Sequence, residues 1–325
     1  FKQKTAYEIR LSLVGSEMCI RDRITLKQIN YALAVADTLH FKRAADKCFV
    51  SPSTLSNAIT EMEIQLGIQI FERDNKKVIL TELGSLVIDK AKVIKTEVDG
   101  INKISQLNAE PLSNKISLGI IPTIGPFLLP ILLPKLKSDY PNLNLNIIEA
   151  QTDVLLNKIS SGEIELAIMA LPFNTNGFNV HKFWTEDFYW ISRKNDPRSK
   201  KTSIKAKEID LDELIMLEEG NCLKDHILDA CKIKNTSKIT FNASTLSTAI
   251  ELVKGDIGTT FVPEMAVNQL LVANPELKET KLDEKGPHRE IAIISRNNYA
   301  GDRDIKSLID LFTEQLNINQ KIKVG

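Results

Sequence analysis

The chain has 325 residues, 43% of them hydrophobic and 26% charged, and a formal net charge of zero, which suits two or three packed domains and gives no general attraction for polyanions. No stretch approaches the ~20 uninterrupted apolar residues of a membrane span; the best candidate, "IIPTIGPFLLPILLP" at 120–134, is broken by Pro122, Gly125, Pro126 and Pro130. Four cysteines (Cys19, Cys48, Cys222, Cys231) in so long a chain exclude a secreted disulfide framework and point to a reducing, cytoplasmic compartment, where any disulfide is transient and functional.

The first 23 residues, "FKQKTAYEIRLSLVGSEMCIRDR", fit no element downstream. Arg10 and Glu17 interrupt the apolar run and no small-residue cleavage site follows it, which argues against a signal peptide. The segment resembles a translated sequencing-adapter fragment and is expected to be non-native; the alternative is a genuine unstructured extension.

Residues 24–81 read as one small domain. "LKQINYALAVADTL" predicts a helix with Leu26, Ile29, Leu33, Val35 and Ala36 on one stripe, and "FKRAADKC" a second with Phe41, Ala44 and Ala45 inward and Cys48 as packing. In "SPSTLSNAITEMEIQLG" Ser51 is a good N-cap, Pro52 suits the first helical position, and Leu55, Ile59, Met62 and Leu66 recur at helical spacing before Gly67. "IQIFERDNKKVIL" predicts two short strands around the turn from Asp74 to Lys77, a wing. The pattern suits a winged helix-turn-helix, or more plainly a three-helix bundle.

Thr81 then caps a long helix over 82–108, whose apolar residues Val87, Ala91, Ile94, Val98 and Ile101 have coiled-coil spacing and imply a partner helix, unless its own domain covers them. "AEPLSN" at 109–114 reads as a hinge. Beyond it, in 115–325, strands ("ISLGII", "LNLNIIEA", "ELAIMAL", "FYWIS", "LIMLE", "KITFNA", "TTFVP", "REIAIIS") alternate with helices, predicting α/β with mostly parallel sheets. The length suits two subdomains, about 115–184 with 289–325 and 185–288, flanking a ligand cleft.

Over residues 24–81 seven Lys and Arg oppose six Asp and Glu, so DNA binding would depend on placement rather than bulk charge. Lys42 and Arg43 on one side, and Arg73, Lys76 and Lys77 on the other, flank the third helix where phosphates would run beside a major groove. Ser51, Pro52, Ser53, Thr54, Ser56 and Asn57 form the face presented to base edges, the hydroxyls and amide being short donors and acceptors.

The cysteine segment "NCLKDHILDAC" at 221–231 raises a geometric problem. On a helix, a nine-residue step puts Cys222 and Cys231 on opposite faces about 13 Å apart along the axis, whereas a disulfide needs Cα atoms roughly 4.4–6.8 Å apart. Either the two are buried structural thiols that never meet, or meeting dismantles the helix. A third reading, a soft metal held by Cys222, His226 and Cys231, matches no common zinc spacing. His40, His181 and His288 are scattered, and the aromatics of "FWTEDFYW" at 183–190 read as strand and core. No glycine-rich phosphate loop, nucleophile elbow or paired-carboxylate signature points to an enzyme with turnover.

The stretch "HFKRAADKCFVSPSTLSNAITEMEIQLGIQIFERDNKKVILTELG" resembles the DNA-binding domain of LysR-type transcriptional regulators, whose usual core is A-A-x-x-x-x-x-S-Q-P-x-L-S followed by L-E-x-x-L-G-x-x-L-F-x-R; Ala44, Ala45, Ser51, Leu55, Ser56, Leu66, Gly67, Phe71 and Arg73 match. Pro52 and Ser53 stand where Gln and Pro are usual, and proline cannot donate to DNA. Downstream, "LGIIPTIGPFLLPILLPKL", "EAQTDVLL" and "MLEEGNCLKDHILDAC" resemble the hydrogen-peroxide-sensing OxyR branch of that family, from about residue 24 to 318.

The resemblance implies an N-terminal winged helix-turn-helix with a linker helix and a C-terminal α/β regulatory domain of two subdomains, like a periplasmic binding protein. It implies Cys222 as the peroxidatic thiol, Cys231 as the resolving thiol, and a peroxide pocket of Thr123, Thr152, Asn221, Lys224 and Asp225. Asn221 and Lys224 replace the usual His and Arg, removing a titratable ring and a planar fork. The start of a helix at Cys222 and the charge of Lys224 are expected to favour thiolate. Implied partners are double-stranded DNA, hydrogen peroxide as signal, RNA polymerase, a glutaredoxin or thioredoxin reductant and further copies of the chain as a dimer of dimers; neither cofactor nor metal is implied. The rival expectations are a LysR-type regulator sensing a small metabolite in the subdomain cleft and a catalytic thiol peroxidase, against which the DNA-binding domain argues.

Overall fold

The computed structural model describes residues 24–74, 77–104, 110–233 and 241–324; the adapter-like segment and Lys76 lie outside them. The chain divides into two compact units, Phe1–Ser105 and Gln106–Gly325.

In the first unit, Thr25 and Gln28 cap α1 (Leu26–Thr38) reciprocally. Its buried face carries Gln28, Ile29, Tyr31, Ala32, Ala34 and Val35, displaced from the expected stripe so that Leu26 is half exposed. Ala44 and Ala45 of α2 (Phe41–Lys47) are fully buried, and these small side chains let α1 and α2 approach closely. Ser51 Oγ accepts from Thr54 N at 3.1 Å to cap α3 (Pro52–Leu66), and Gly67 ends it in the left-handed region at φ +67°, a conformation cheap for glycine. Leu55, Ile59 and Met62 are buried.

The wing is an antiparallel hairpin of β1 (Phe71–Asp74) and β2 (Lys77–Leu80). Glu63 on α3 accepts from the amides of Ile70 and Phe71 at 2.8 and 3.0 Å, fixing the base of the hairpin to the helix. Thr81 Oγ1 accepts from Gly84 N at 2.8 Å at the start of α4 (Glu82–Ile104). Ile88 and Ala91 of α4 are buried against its own unit, while Leu83, Leu86, Val93, Ile94 and Ile101 are exposed. The expected partner stripe is thereby corrected: Ala91 belongs to the domain core because α4 packs back on α1, and the outward face runs Leu83, Leu86, Val93, Ile94 and Ile101.

The described residues of the second unit form two sheets. One has the order β4 (Asn144–Glu149), β3 (Lys115–Ile120), β5 (Leu166–Leu171), β13 (Arg289–Arg296), β6 (Phe178–Glu186); the other the order β10 (Phe241–Ala243), β9 (Leu214–Leu217), β11 (Thr259–Pro263), β7 (Phe188–Arg193), β12 (Leu277–Leu282), β8 (Ser203–Ile204). The helices in chain order are α5 (Gly125–Asp139), α6 (Thr152–Ser160), α7 (Cys222–Ala230), α8 (Leu246–Lys254), α9 (Glu264–Val272) and α10 (Asp302–Val324). The sheets are mixed rather than mostly parallel: β13 runs antiparallel to β5 and β6, and β7 antiparallel to β11 and β12. The cause is connectivity, since β7 and β13 enter their sheets directly from the other subdomain instead of through a covering helix. The 183–190 aromatics lie as expected on strands, with Phe188 and Trp190 fully buried. No helix among the described residues is long and apolar enough to cross a membrane.

A Cβ at Gly84 would collide with the Ile70 carbonyl, whereas one at Gly100, on the same helix, meets nothing within 4 Å. Gly84→Ala should therefore destabilise the chain by about 1–3 kcal/mol through overpacking, and Gly100→Ala should stabilise it by about 0.5–1 kcal/mol through helix propensity; urea unfolding of the two variants checks the opposite signs.

Candidate functional site

At the N-terminus of α3 the hydroxyls of Ser51, Ser53 and Thr54 form one cluster, Ser51 Oγ lying 2.9 Å from Ser53 Oγ and 2.8 Å from Thr54 Oγ1. Ser51, Pro52, Ser53, Thr54 and Asn57 are exposed, as are Lys42, Arg43 and Lys77. Arg73 departs from expectation. Its guanidinium donates to Ser56 Oγ at 3.0 Å, Thr60 Oγ1 at 3.2 Å and Glu63 Oε2 at 3.2 Å, and lies 4.5 Å from the Phe41 ring centroid. Arg73 thus braces the wing against α3, and it occupies Ser56 as well.

The second unit has a fully buried polar network where the chain crosses between subdomains. Arg289, 1% exposed at the start of β13, donates through Nε and Nη2 to Glu186 Oε1 at 2.8 and 2.5 Å. It also donates to Thr123 Oγ1 at 3.2 Å and to the Thr123 carbonyl at 3.4 Å. Glu186, at the end of β6, accepts from Met265 N in the first turn of α9 at 2.9 Å. Alongside, Phe188 N donates to His288 Nδ1 at 3.1 Å, and the two rings stack with centroids 5.6 Å apart. Both crossings are therefore joined by one buried ion pair and the hydrogen bonds around it.

Cys222 is the first residue of α7 and Cys231 its C-cap, and both are free thiols. Gly220, at φ +88°, brings the preceding turn so close to Gln151 that a Cβ would collide with its side-chain amide, which sets Cys222 against Thr152 at the head of α6. Thr152 Oγ1 is buried without a hydrogen bond of standard geometry; its contact with the thiol is loose, yet it favours thiolate. Arg289 also favours thiolate, as does the local backbone amide, but burial outweighs them and Asp225 opposes them, so the Cys222 thiol is held above the ordinary cysteine range. The expectation of a lowered value is thus corrected, because a charge leaving water loses more solvation than these partners restore.

Lys224 is not the cation beside Cys222: its ammonium lies 4.0 Å from Glu219. Asn221 is the N-cap residue but makes no side-chain cap; its amide donates to the Glu218 carbonyl at 3.3 Å. Asp225 is exposed. The structure gathers Cys222, Thr152 and Arg289, and Arg289 in turn holds Thr123. Arg289 is the residue that sequence reasoning missed; the one available signal was an arginine opening the otherwise apolar strand "REIAIIS".

Cys231 is 9% exposed, and burial, aided by Glu284, pushes its thiol up to about 12. Among the described residues no three His, Cys, Asp or Glu side chains come together to hold a metal, so Cys222, His226 and Cys231 do not form a ligand set. Arg289→Met should leave a buried unpaired carboxylate at Glu186 and cost about 3–5 kcal/mol, much of it recovered when Glu186→Gln is added; thermal unfolding measures both. Iodoacetamide should label Cys222 at pH 7 more slowly than an exposed thiol.

The bacterial regulatory helix-turn-helix family of LysR type matches residues 26–85, and the LysR substrate binding domain matches residues 109–317. The chain is 36% identical over 291 residues to the HTH-type transcriptional regulator EstR of Acinetobacter baylyi, covering 88% of this chain and 95% of that one. It is 32% identical over 245 residues to the DNA-binding transcriptional dual regulator OxyR of Escherichia coli, covering 75% and 80%. A full-length OxyR variant from Pseudomonas aeruginosa superposes with a TM-score of 0.76 at 31% identity, covering 89% of this chain and 95% of that one. With a DNA-binding domain and a regulatory domain both matched, and OxyR proteins among its relatives in sequence and in structure, the chain belongs to the LysR family of transcriptional regulators.

Proposed function

We propose that the protein is a hydrogen-peroxide-responsive transcription factor of the cytoplasm, switched by a reversible Cys222–Cys231 disulfide. The observation that carries this reading is the placement of two free thiols at the two ends of α7, one facing Thr152 and Arg289 and the other capping the helix. Burial keeps Cys222 protonated between stimuli, and a small uncharged oxidant is the reagent best able to reach it. As the Cys222 sulfur attacks one peroxide oxygen, the O–O bond breaks, Arg289 and Thr152 stabilise the developing charge, and the thiol proton leaves with the departing oxygen as water. The resulting sulfenic acid condenses with the Cys231 thiol, releasing a second water and forming the S–S bond.

Nine residues of helix separate the two cysteine backbones by about 13 Å of axial rise, so closing the bond unwinds α7 and repacks what it touches. A dithiol reductant of the glutaredoxin or thioredoxin class resets it. The exposed α4 face (Leu83, Leu86, Val93, Ile94, Ile101) suits pairing of protomers, with a dimer of dimers and RNA polymerase contact following by family resemblance. Ser51, Ser53, Thr54 and Asn57 at the head of α3 read base edges, and Lys42, Arg43, Lys76 and Lys77 hold phosphates. Pro52 contributes only its fixed backbone, and Arg73 braces the wing.

A second reading is regulation by a small metabolite bound between the subdomains; it stands beside the first because the chain also matches, over more of its length, EstR, a LysR-type regulator whose name makes no reference to peroxide. The two separate in one experiment. Peroxide treatment of the reduced protein, thiol blocking and tryptic mass spectrometry should reveal a Cys222–Cys231 bridge, and Cys222→Ser should abolish peroxide-dependent transcription. A peroxide response unimpaired in Cys222→Ser, or thiols that stay free in peroxide, would transfer the assignment to metabolite sensing.

A further inference from the structure

One helical turn below the reactive thiol, on the same face of α7, lies a group for which the disulfide chemistry has no use. His226 is 3% exposed and neither ring nitrogen makes a hydrogen bond of full geometry. It lines a cavity of about 180 Å³ with Pro172, Asp229, Lys285 and His288. A histidine buried in this way is stable only as the neutral ring. The charged and titratable groups facing it come from each neighbouring element: Arg289 from β13, Asp229 from its own helix, and Lys285 with His288 from the 283–288 segment. Burial and then Arg289 oppose a positive charge on the ring, while the Pro172 carbonyl and Asp229 favour one without prevailing, and the ring is held down to about 4.

We propose that His226 makes the redox switch proton-linked: forming the Cys222–Cys231 disulfide transfers a proton from solvent to the His226 ring, so that acidification favours the disulfide form. This rests on the disulfide reading above, because His226 sits between the two cysteines on the helix that must unwind. Once α7 opens, the ring reaches water and returns to the ordinary histidine range near 6.5. The sign follows by linkage. Between about pH 4 and 6.5 the reduced form holds His226 neutral and the oxidised form holds it protonated, so the oxidised form binds one proton more and gains as pH falls. Oxidation of two protonated thiols releases two protons and two electrons; with His226 taking one proton back, the net release is one.

Dithiothreitol provides the reference, because its own oxidation also releases two protons in this range. Equilibrating the full-length protein in a dithiothreitol redox buffer, with a selenol mediator to keep exchange fast in acid, gives a protein disulfide-to-dithiol ratio that is independent of pH unless another group is linked. The wild type should show that ratio rising toward ten-fold for each unit of pH lowered between 6 and 5, and His226→Gln should show none. In histidine-labelled wild-type protein, NMR supplies a second readout that needs no variant: the His226 ring should stay neutral through pH 5 when reduced and titrate near neutrality when oxidised. A bridge that forms with a pH-independent ratio in the wild type, or a His226 ring that titrates identically in both states, overturns the proton linkage and leaves the disulfide reading intact. Absence of any Cys222–Cys231 bridge overturns both.

Discussion

The buried pair of Arg289 and Glu186 is the constraint on which the regulatory domain depends. Both side chains are fully withdrawn from water, a situation that costs several kcal/mol per ion unless geometry and added hydrogen bonds compensate. Here they do: Glu186 accepts from Arg289 and from the Met265 amide, and Arg289 also reaches both oxygens of Thr123. Because the pair sits where β6 leaves one subdomain and β13 re-enters it, the network ties the two sheets together. The same guanidinium acts on the Cys222 thiol and on the His226 ring, so the crossing between the subdomains and the groups at α7 share one charge.

Around that charge, α7 is arranged as a balance of opposing terms. Burial favours neutral thiols at both ends of the helix and a neutral imidazole in the middle. The cation and the Thr152 hydroxyl offset that burial only at Cys222, which makes the first turn the place where a thiolate is least costly. The helix is anchored by its apolar face, where Leu223 and Ile227 join the domain core.

The DNA-binding unit uses its charges in a comparable way. Glu63 and Arg73 hold the wing to α3 through five hydrogen bonds to Ile70, Phe71, Ser56, Thr60 and one another. Lys42, Arg43, Lys77 and the hydroxyl cluster at the head of α3 are exposed and form a modest surface. It matches the near-zero charge balance of the domain, in which affinity would come from placement rather than from bulk electrostatics.

Much of this was written in the sequence. Local chemistry determined the cap at Ser51, the stop at Gly67, the wing, the alternation of strands and helices, and the helix bounded by Cys222 and Cys231, because caps, turns and hydrophobic period are properties of neighbouring residues. The LysR motif likewise lay in consecutive positions. Tertiary structure alone decided which sheets are mixed, which face of α4 is covered, that Arg73 lies along α3, and that the cation beside Cys222 is Arg289, 67 positions downstream, and not Lys224, two residues away. It also decided that the thiol is held up rather than lowered. The physical reason is the same in each case: desolvation and charge pairing depend on what lies within a few ångströms in space, and no spacing along the chain encodes that distance.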